Sequence, residues 1–288
     1  MTSRFNFISV VSGLLIPLLA LIPAHNNQET LVEPAMKSSE IDPCLGSNTV
    51  FEDGEQITYK LYYNWNFVWL PAGEVVFKVK EKETEYHISA VGKTYSSYEW
   101  FFKVDDYYET VLDKKTLRPK SFVRDIKEGK FYLYNRINFD QKNGKAVSYQ
   151  GRDKNSTKRE EFSFSNCMHD MLSIVYYLRN VDYAYLKPKQ NFPVEIFLDG
   201  KGWPVNVTYN GKEKNVKIKG GDKYNTLKLS PQMIAGAQFK EGTKMNVWVS
   251  DDNNKVPVMI ESPVSVGSIR AVLSDYKGLK HPLAAKLK

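Results

Sequence analysis

The sequence contains little of what most catalytic and metal sites are built from. Only two cysteines, Cys44 and Cys167, and four histidines occur in 288 residues. It contains no HExxH motif, no paired CxxC, no glycine-rich phosphate loop and no GxSxG elbow. The chain therefore lacks the usual signatures of zinc proteases, zinc ribbons, nucleotide-binding enzymes and α/β-hydrolases. We predict no catalytic residues, no metal site and no cofactor.

The chain also lacks a cluster of charge of one sign. Its 40 basic and 33 acidic residues give a net charge of +7, and the two signs alternate along most segments, as they do from Lys78 to Glu83. Proteins that bind nucleic acid usually concentrate their basic residues in one stripe. We therefore expect no nucleic-acid partner.

A long apolar run occurs only once, at the N-terminus. Arg4 precedes the almost uncharged segment from Phe5 to Ala24, which is typical of a secretory signal peptide and predicts a periplasmic or otherwise exported protein. The competing interpretation is an uncleaved anchor, because the segment is long enough to cross a hydrocarbon core of about 30 Å. Polar and helix-breaking residues interrupt the run and favour cleavage of residues 1–24. Residues 25–49 are polar and predict a flexible leader.

The two cysteines leave two interpretations open. In an oxidising compartment Cys44 and Cys167 are expected to form one disulfide, which would stabilise the fold by about 4 kcal/mol in the chain-entropy model. The alternative is two unrelated reduced thiols. The sequence alone does not choose between them.

From Phe51 onward, apolar residues alternate with polar ones, which is typical of half-buried strands. Ile57, Tyr59, Leu61 and Tyr63 share one face of the first such segment. Turn-forming pairs such as Asn143-Gly144 separate the segments and predict hairpins. The fold class is therefore all-β, mainly antiparallel, with curved sheets or half-barrels and one central α-helix. We place an N-terminal β region at 50–165, a C-terminal β region at 182–276 and a frayed basic tail at 277–288.

One segment has helical periodicity. Met171, Ile174, Val175 and Leu178 are spaced i, i+3, i+4 and i+7, which places them on one face of a helix predicted over 166–181. Ser165 or Asn166 is expected to cap its start. We expect the helix to plug the open end of a curved sheet or to bridge two sheets.

A nucleophilic site is the least favoured interpretation of the residues before this helix. A thiolate of Cys167 at a helix start would have a lowered pKa, and His169 would be its base. Side chains two positions apart on a helix diverge, however, and this disfavours a cysteine-dependent hydrolase.

Aromatic residues are abundant, and two groups of them, near Tyr63 and near Trp100, are dense. Alternation places about half of each group on the sheet face opposite the core, where rings line grooves for acyl chains, glycans or peptides. The alternative is packing within the core. The ligand-binding residues that we predict are Tyr63, Trp65, Trp69, Trp100 and Phe102.

Three groups of residues carry a family resemblance. Phe51-Glu52-Asp53-Gly54-Glu55 with Ala72-Gly73-Glu74, the segment Asp170-Met171-Leu172-Ser173, and the run Trp248-Val249-Ser250-Asp251-Asp252 resemble the exported bacterial domain-of-unknown-function family numbered 3108. The likeness covers most of residues 50–275. It implies a β-rich envelope protein and supplies no catalytic residues. The closing hairpin also looks like those of periplasmic lipoprotein carriers, whose half-barrels hold acyl chains, but fold alone does not establish function.

These observations favour an exported, non-enzymatic envelope protein that binds an apolar or amphipathic ligand, such as a lipid, a lipoprotein acyl chain or a glycan. The first alternative is a structural or assembly factor that contacts another envelope protein. The third interpretation is the cysteine-dependent hydrolase.

Overall fold

The computed structural model describes residues 46–65, 68–100, 103–164, 167–234, 242–264 and 267–288. Strands dominate the described chain, as the alternation predicts. Their bounds are β1 (Gln56–Trp65), β2 (Val68–Glu81), β3 (Glu85–Thr94), β4 (Asp105–Asp113), β5 (Pro119–Glu128), β6 (Phe131–Asp140), β7 (Lys145–Gly151), β8 (Lys158–Ser163), β9 (Gln190–Leu198), β10 (Lys201–Lys217), β11 (Lys223–Pro231), β12 (Asn246–Ser250), β13 (Pro257–Pro263), β14 (Ser268–Lys277) and β15 (Lys286–Leu287).

All of these strands belong to one large antiparallel sheet. Strands β1 to β8 form a first meander, strands β9 to β14 form a second, and β14 pairs with β1 to join them. Strands β8 and β9 therefore lie at the two ends of the strand order, and the sheet is not closed into a barrel. The all-β, antiparallel prediction is confirmed.

Short glycine-containing turns make this antiparallel order sterically accessible. Gly267 precedes β14 with φ of 83°, and a Cβ atom there would lie 2.1 Å from the carbonyl oxygen of Asn64. Gly144 between β6 and β7 has φ of 62°, and a Cβ atom there would also lie too close to a backbone carbonyl oxygen. A side chain is excluded at both positions by strain and by contact, and the predicted Asn143-Gly144 turn joins β6 to β7.

Two hydrophobic clusters fill the inside of the sheet. The large cluster draws buried residues from both meanders, including Leu61 of β1 and Ala271 of β14. The small cluster lies entirely within residues 174–249 and includes Ile174, Val207 and Leu229. The two β regions therefore share one core, and the C-terminal region has a second one of its own.

The central helix is shorter than predicted. Helix α1 spans Ser173–Asn180 rather than 166–181. Residues 167–170 before it are not helical, because His169 forms a bridge with Ile196 of β9. Its start is capped by Asp170, whose carboxylate accepts hydrogen bonds from the backbone nitrogens of Leu172 and Ser173. The expected caps Ser165 and Asn166 lie outside the described residues.

The chain ends differ from expectation where they are described. At the start, the backbone nitrogen of Thr49 donates to the side chain of Asn180 at 2.8 Å, so the last residue of the predicted leader contacts helix α1. At the end, β15 pairs with β11 and Ala285 is 2% exposed. The expectation of a frayed tail at 277–288 is therefore wrong. The predicted signal peptide 1–24 and residues 25–45 lie outside the described residues, and no helix in the described chain has the length and apolar character needed to cross a bilayer.

Candidate functional site, an apolar cavity under the central helix

Helix α1 lies between the two hydrophobic clusters. Tyr176 faces the large cluster and meets the ring of Phe51 edge-on at a centroid distance of 5.0 Å. Ile174 and Tyr177 face the small cluster. The helix thus bridges two parts of one core, where the sequence suggested a plug or a bridge between two sheets.

Asp170 holds the start of this helix from a fully buried position. Besides capping the helix, its carboxylate accepts a hydrogen bond of 2.6 Å from the hydroxyl of Thr110 in β4. Burial raises the pKa of Asp170 to about 6, against the opposing effect of the hydrogen bonds from Thr110, Ser173 and Leu172. The helix is therefore attached to the first meander at its N-terminus.

An apolar cavity of about 160 Å³ lies between α1 and the inner face of strands β9 to β13. The helical face that the sequence predicts, Met171, Ile174, Val175 and Leu178, forms one wall. The remaining lining residues come mainly from inward-facing strand positions and from the β11–β12 connection: Arg179, Tyr183, Val194, Ile196, Leu198, Val205, Val207, Leu229, Pro231, Gln232, Met233, Ile234, Met245, Val247, Val249, Pro257 and Ile260.

One end of the cavity is closed by a buried ion pair. Arg179 donates to both carboxylate oxygens of Glu55, at 2.6 and 2.8 Å, and its Nε donates to the carbonyl oxygen of Asn254. Arg179 and Glu55 are 3% and 1% exposed. The guanidinium charge is therefore compensated within the protein.

At the other end, which we call the open end, the described lining residues become more exposed. Along β12, Val249 and Val247 are buried and Met245 just before the strand is half-buried. Along β11, Leu229 is buried and Pro231 is half-buried. Exposure therefore increases toward the connection, where Gln232 and Ile234 also line the cavity.

The lining carries few polar groups. Three of the lining side chains, Arg179, Tyr183 and Gln232, have hydrogen-bonding atoms. Arg179 is paired with Glu55, and the hydroxyl of Tyr183 donates to the carbonyl oxygen of Leu178 at 2.7 Å. Such a cavity offers apolar contact and little to recognise a charged group.

Of the predicted aromatic residues, Tyr63, Trp69 and Trp100 do not line this cavity. Tyr63 lies on the inner face of β1 and is 5% exposed, so it packs within the core. Trp69 is half-buried on the outer face, where the Arg270 guanidinium stacks 4.1 Å from its ring centroid. Trp100 is 83% exposed. Trp65 ends β1, and Phe102 lies outside the described residues. Their ligand-binding role stays a prediction.

The cavity was missed because most of its lining is aliphatic. The helical spacing of Met171 and its neighbours identified one wall, but the strand residues opposite look like ordinary core positions in the sequence. The cavity forms because few large side chains face each other across the core. That shortage can be recognised only when it is known which strands face the helix.

The residues before α1 that a nucleophilic site would use are both buried. Cys167 is 8% exposed, with the Nη1 of Arg118 at 3.7 Å from its sulfur. His169 is fully buried, and its ring packs on Tyr177 at a centroid distance of 4.7 Å. Cys44 lies outside the described residues, so the predicted pairing with Cys167 stays a prediction.

Charged and polar residues are buried among the apolar side chains inside the first meander. Asp106 and Tyr108 of β4 and Arg124 and Glu128 of β5 are each at most 2% exposed. Burial raises the pKa of Asp106 to about 6, although hydrogen bonds from Lys127 and Glu128 act in the opposite direction. Arg124 pairs with Asp199 in the β9–β10 turn and so ties the two meanders together. Within the described residues, no cluster of histidine, cysteine and acidic side chains could hold a metal ion.

Comparison with known proteins identifies a family and a fold. The family model described as "Protein of unknown function (DUF3108)" matches residues 58–274. No curated protein matches the chain. A crystal structure of a β-barrel-like protein of the domain-of-unknown-function family DUF1849 from Brucella abortus superposes with a TM-score of 0.52 at 13% identity, covering 79% of this chain and 98% of that one.

A second solved structure is less similar. It is a Bacteroides fragilis protein described as a candidate exported protein with a YmcC-like fold, and it aligns at 13% identity over 81% of this chain and 99% of its own. Its TM-score of 0.29 is too low to support an argument from structure. The Brucella protein supports the fold alone.

Proposed function

This chain belongs to the DUF3108 family of proteins of unknown function, and on that premise we propose that it is an exported, non-catalytic protein that binds an apolar or amphipathic ligand beneath helix α1. The observation that carries the proposal is the cavity of about 160 Å³ with an almost wholly aliphatic lining. Protein interiors are normally packed to the density of organic crystals, and a void of this size costs stability unless something fills it.

Three features of the cavity support binding rather than a packing defect. It opens at one end, so a ligand has a route in. Met171, Met233 and Met245 contribute flexible, polarizable side chains that adapt to an apolar guest. Its polar atoms are mostly satisfied within the protein, so an apolar group entering it leaves few hydrogen bonds broken.

Export is proposed from the N-terminal sequence. The apolar segment Phe5–Ala24 after Arg4 favours a cleaved signal peptide. In an oxidising compartment we further propose that Cys44 and Cys167 form a disulfide, which would attach the leader beside helix α1. The partners of the exported protein would then be molecules of the cell envelope.

The proposal is tested by placing a large side chain in the cavity. Leu178 is half-buried on the cavity face of α1, so Leu178→Trp fills the space from an accessible position. We expect isothermal titration calorimetry with octanoate to show saturable binding to the native protein, with a negative heat-capacity change from apolar burial. The Leu178→Trp variant should bind at least tenfold more weakly.

Leu133→Trp provides the matched control. Leu133 is a half-buried leucine of β6 that packs on the large cluster and does not line the cavity. Its substitution should leave octanoate binding unchanged. Absence of binding to the native protein, together with absence of any co-purified ligand in native mass spectrometry and lipid extraction, would contradict the proposal.

The second candidate function is contact with another envelope protein. It is favoured by exposed apolar side chains in the first meander, of which Trp100 at 83% and Val68 at 56% are the most exposed. In-cell crosslinking separates the two functions. One stoichiometric protein partner, captured at these residues and lost on Trp100→Ser, would favour the assembly role.

A further inference from the structure

The volume of the cavity limits how much ligand it can hold. Cavities that take whole drug-sized ligands measure about 300–1,000 Å³. An apolar cavity of about 150 Å³ engineered in another protein stays dry and binds benzene, a six-carbon molecule. The cavity beneath α1, at about 160 Å³, is therefore too small for a complete lipid and large enough for about six carbon atoms.

The closed end excludes a charged group. Among the described lining residues, Arg179 is the charged one, and it donates through Nε, Nη1 and Nη2 to Asn254, Glu55 and Val50. A carboxylate or phosphate driven to this end would meet the carboxylate of Glu55 behind the guanidinium and would lose its water without gaining a free cation. The end of the ligand that enters first must be uncharged.

The open end suits a polar group that stays in water. Gln232 lies at this end, and its half-buried amide can hydrogen-bond a headgroup without full burial. Met233 and Met245 flank it, and their unbranched side chains follow a linear chain more readily than a rigid ring. The cavity therefore has a closed end that suits an apolar group and a half-exposed end that suits a polar group.

Taking these together, and resting on the proposed function, we propose that the site is specific for the uncharged terminal segment of a straight alkyl or acyl chain. About six carbon atoms are buried, and the rest of the molecule, with its polar headgroup, remains outside the mouth. The protein would thus hold an amphipathic molecule by the end of its tail.

A chain-length series of fatty acids tests the proposal by calorimetry. Each buried methylene contributes about 0.8 kcal/mol, so affinity should rise about fourfold per carbon from butanoate upward. We expect the rise to level off between about C6 and C9 and to remain flat to C14. Octanedioate, which would carry a carboxylate into the closed end, should bind at least tenfold more weakly than octanoate.

Two matched variants locate the effect. Leu229→Ala removes three carbon atoms from the lining, so the plateau should move to chains about two to three carbons longer. Leu112→Ala removes the same atoms from a fully buried position in the large cluster and should leave the plateau where it is. Both variants are first checked for a native circular dichroism spectrum.

The outcomes separate the two proposals. Failure of every chain length to bind would overturn the proposed function itself. Binding whose affinity keeps rising through C14, or equal binding of octanedioate and octanoate, would overturn only the inference about the chain end. An unshifted plateau in Leu229→Ala would place the buried segment elsewhere and would also overturn it.

Discussion

The insides of the two meanders differ although both are antiparallel and share one sheet: the first buries charged residues among its apolar side chains, and the second leaves a cavity. In the first meander, the inner positions of β4 and β5 carry Asp106, Tyr108, Arg124 and Glu128, all buried. In the second, the positions of β9 to β13 that line the cavity are almost all aliphatic. The buried charged groups of the first meander need partners, whereas the aliphatic lining of the second leaves empty space.

This difference indicates where a ligand can enter. Polar groups in a low-dielectric interior need partners, and an apolar guest inside the first meander would separate buried charged groups from theirs without replacing them. Aliphatic side chains need no hydrogen-bond partners. An empty cavity among them can therefore be filled by an apolar guest at little cost in free energy. Binding is therefore expected in the second meander and rigidity in the first.

The buried ion pair between Glu55 and Arg179 is where the two regions meet, and it should show the largest effect on stability. Glu55 precedes β1, and Arg179 lies on the helix that covers the cavity. Glu55→Gln leaves the guanidinium buried without its counter-charge, so we expect the free energy of unfolding to fall by about 3–5 kcal/mol in urea denaturation.

The control for this prediction is an exposed pair of the same chemistry. Lys212 contacts Asp251 at 2.9 Å with 63% of the lysine side chain exposed. Asp251→Asn should cost less than about 1 kcal/mol. Similar losses for Glu55→Gln and Asp251→Asn would mean that the buried pair does not join the two regions.

Part of the pH dependence of stability should come from Asp106 inside the first meander. The pKa of Asp106 in the folded protein, about 6, lies above its value of about 3.9 in an unfolded chain. The folded state therefore holds this proton more tightly, and the corresponding stability is complete below pH 4 and lost as the pH rises through 6. The expected loss between pH 4 and pH 7 is at most about 3 kcal/mol.

Asp106→Asn isolates this contribution from those of other carboxyl groups. The amide resembles the protonated acid, so the variant should gain stability relative to the native protein as the pH rises from 5 to 7. Urea denaturation at each pH measures the difference. A difference that is constant across this range, or that changes in the other direction, would contradict the assignment.

The smallest expected effect concerns two tyrosine hydroxyls, one in each region. The hydroxyl of Tyr108 is buried and makes no hydrogen bond within the described residues, whereas that of Tyr183 donates to Leu178. Tyr108→Phe should leave the free energy of unfolding unchanged or raise it by up to about 1 kcal/mol. Tyr183→Phe should lower the free energy of unfolding by about 1 kcal/mol. If thermal denaturation showed a larger loss for Tyr108→Phe than for Tyr183→Phe, the Tyr108 hydroxyl would be the one with the better hydrogen bond.

Much of the fold could be predicted because its signals are local. The two-residue alternation identified Ile57, Tyr59, Leu61 and Tyr63 as one face of a strand, and all four are buried. The helix was located by its periodicity, but its start was wrong. The bridge between His169 and Ile196 competes with helix formation, and no local pattern records that contact.

The candidate site was only partly predictable. Helical periodicity predicts the face of α1 that lines the cavity, but ring-rich segments stand out in a sequence and the aliphatic strand residues opposite do not. Trp69 stacks on Arg270, which is about 200 residues away in the chain. Contacts of this range decide whether an aromatic residue packs on a neighbour or lines a groove.

The order of residues along the chain settles the antiparallel strands, the single helix and its apolar face, because backbone geometry and alternation act over a few residues at a time. Long-range contacts decide three other features: the pairing of β14 with β1, the buried charged residues of the first meander and the cavity in the second. A cavity is a property of several facing surfaces at once, so it exists only when the strands and the helix have been brought together.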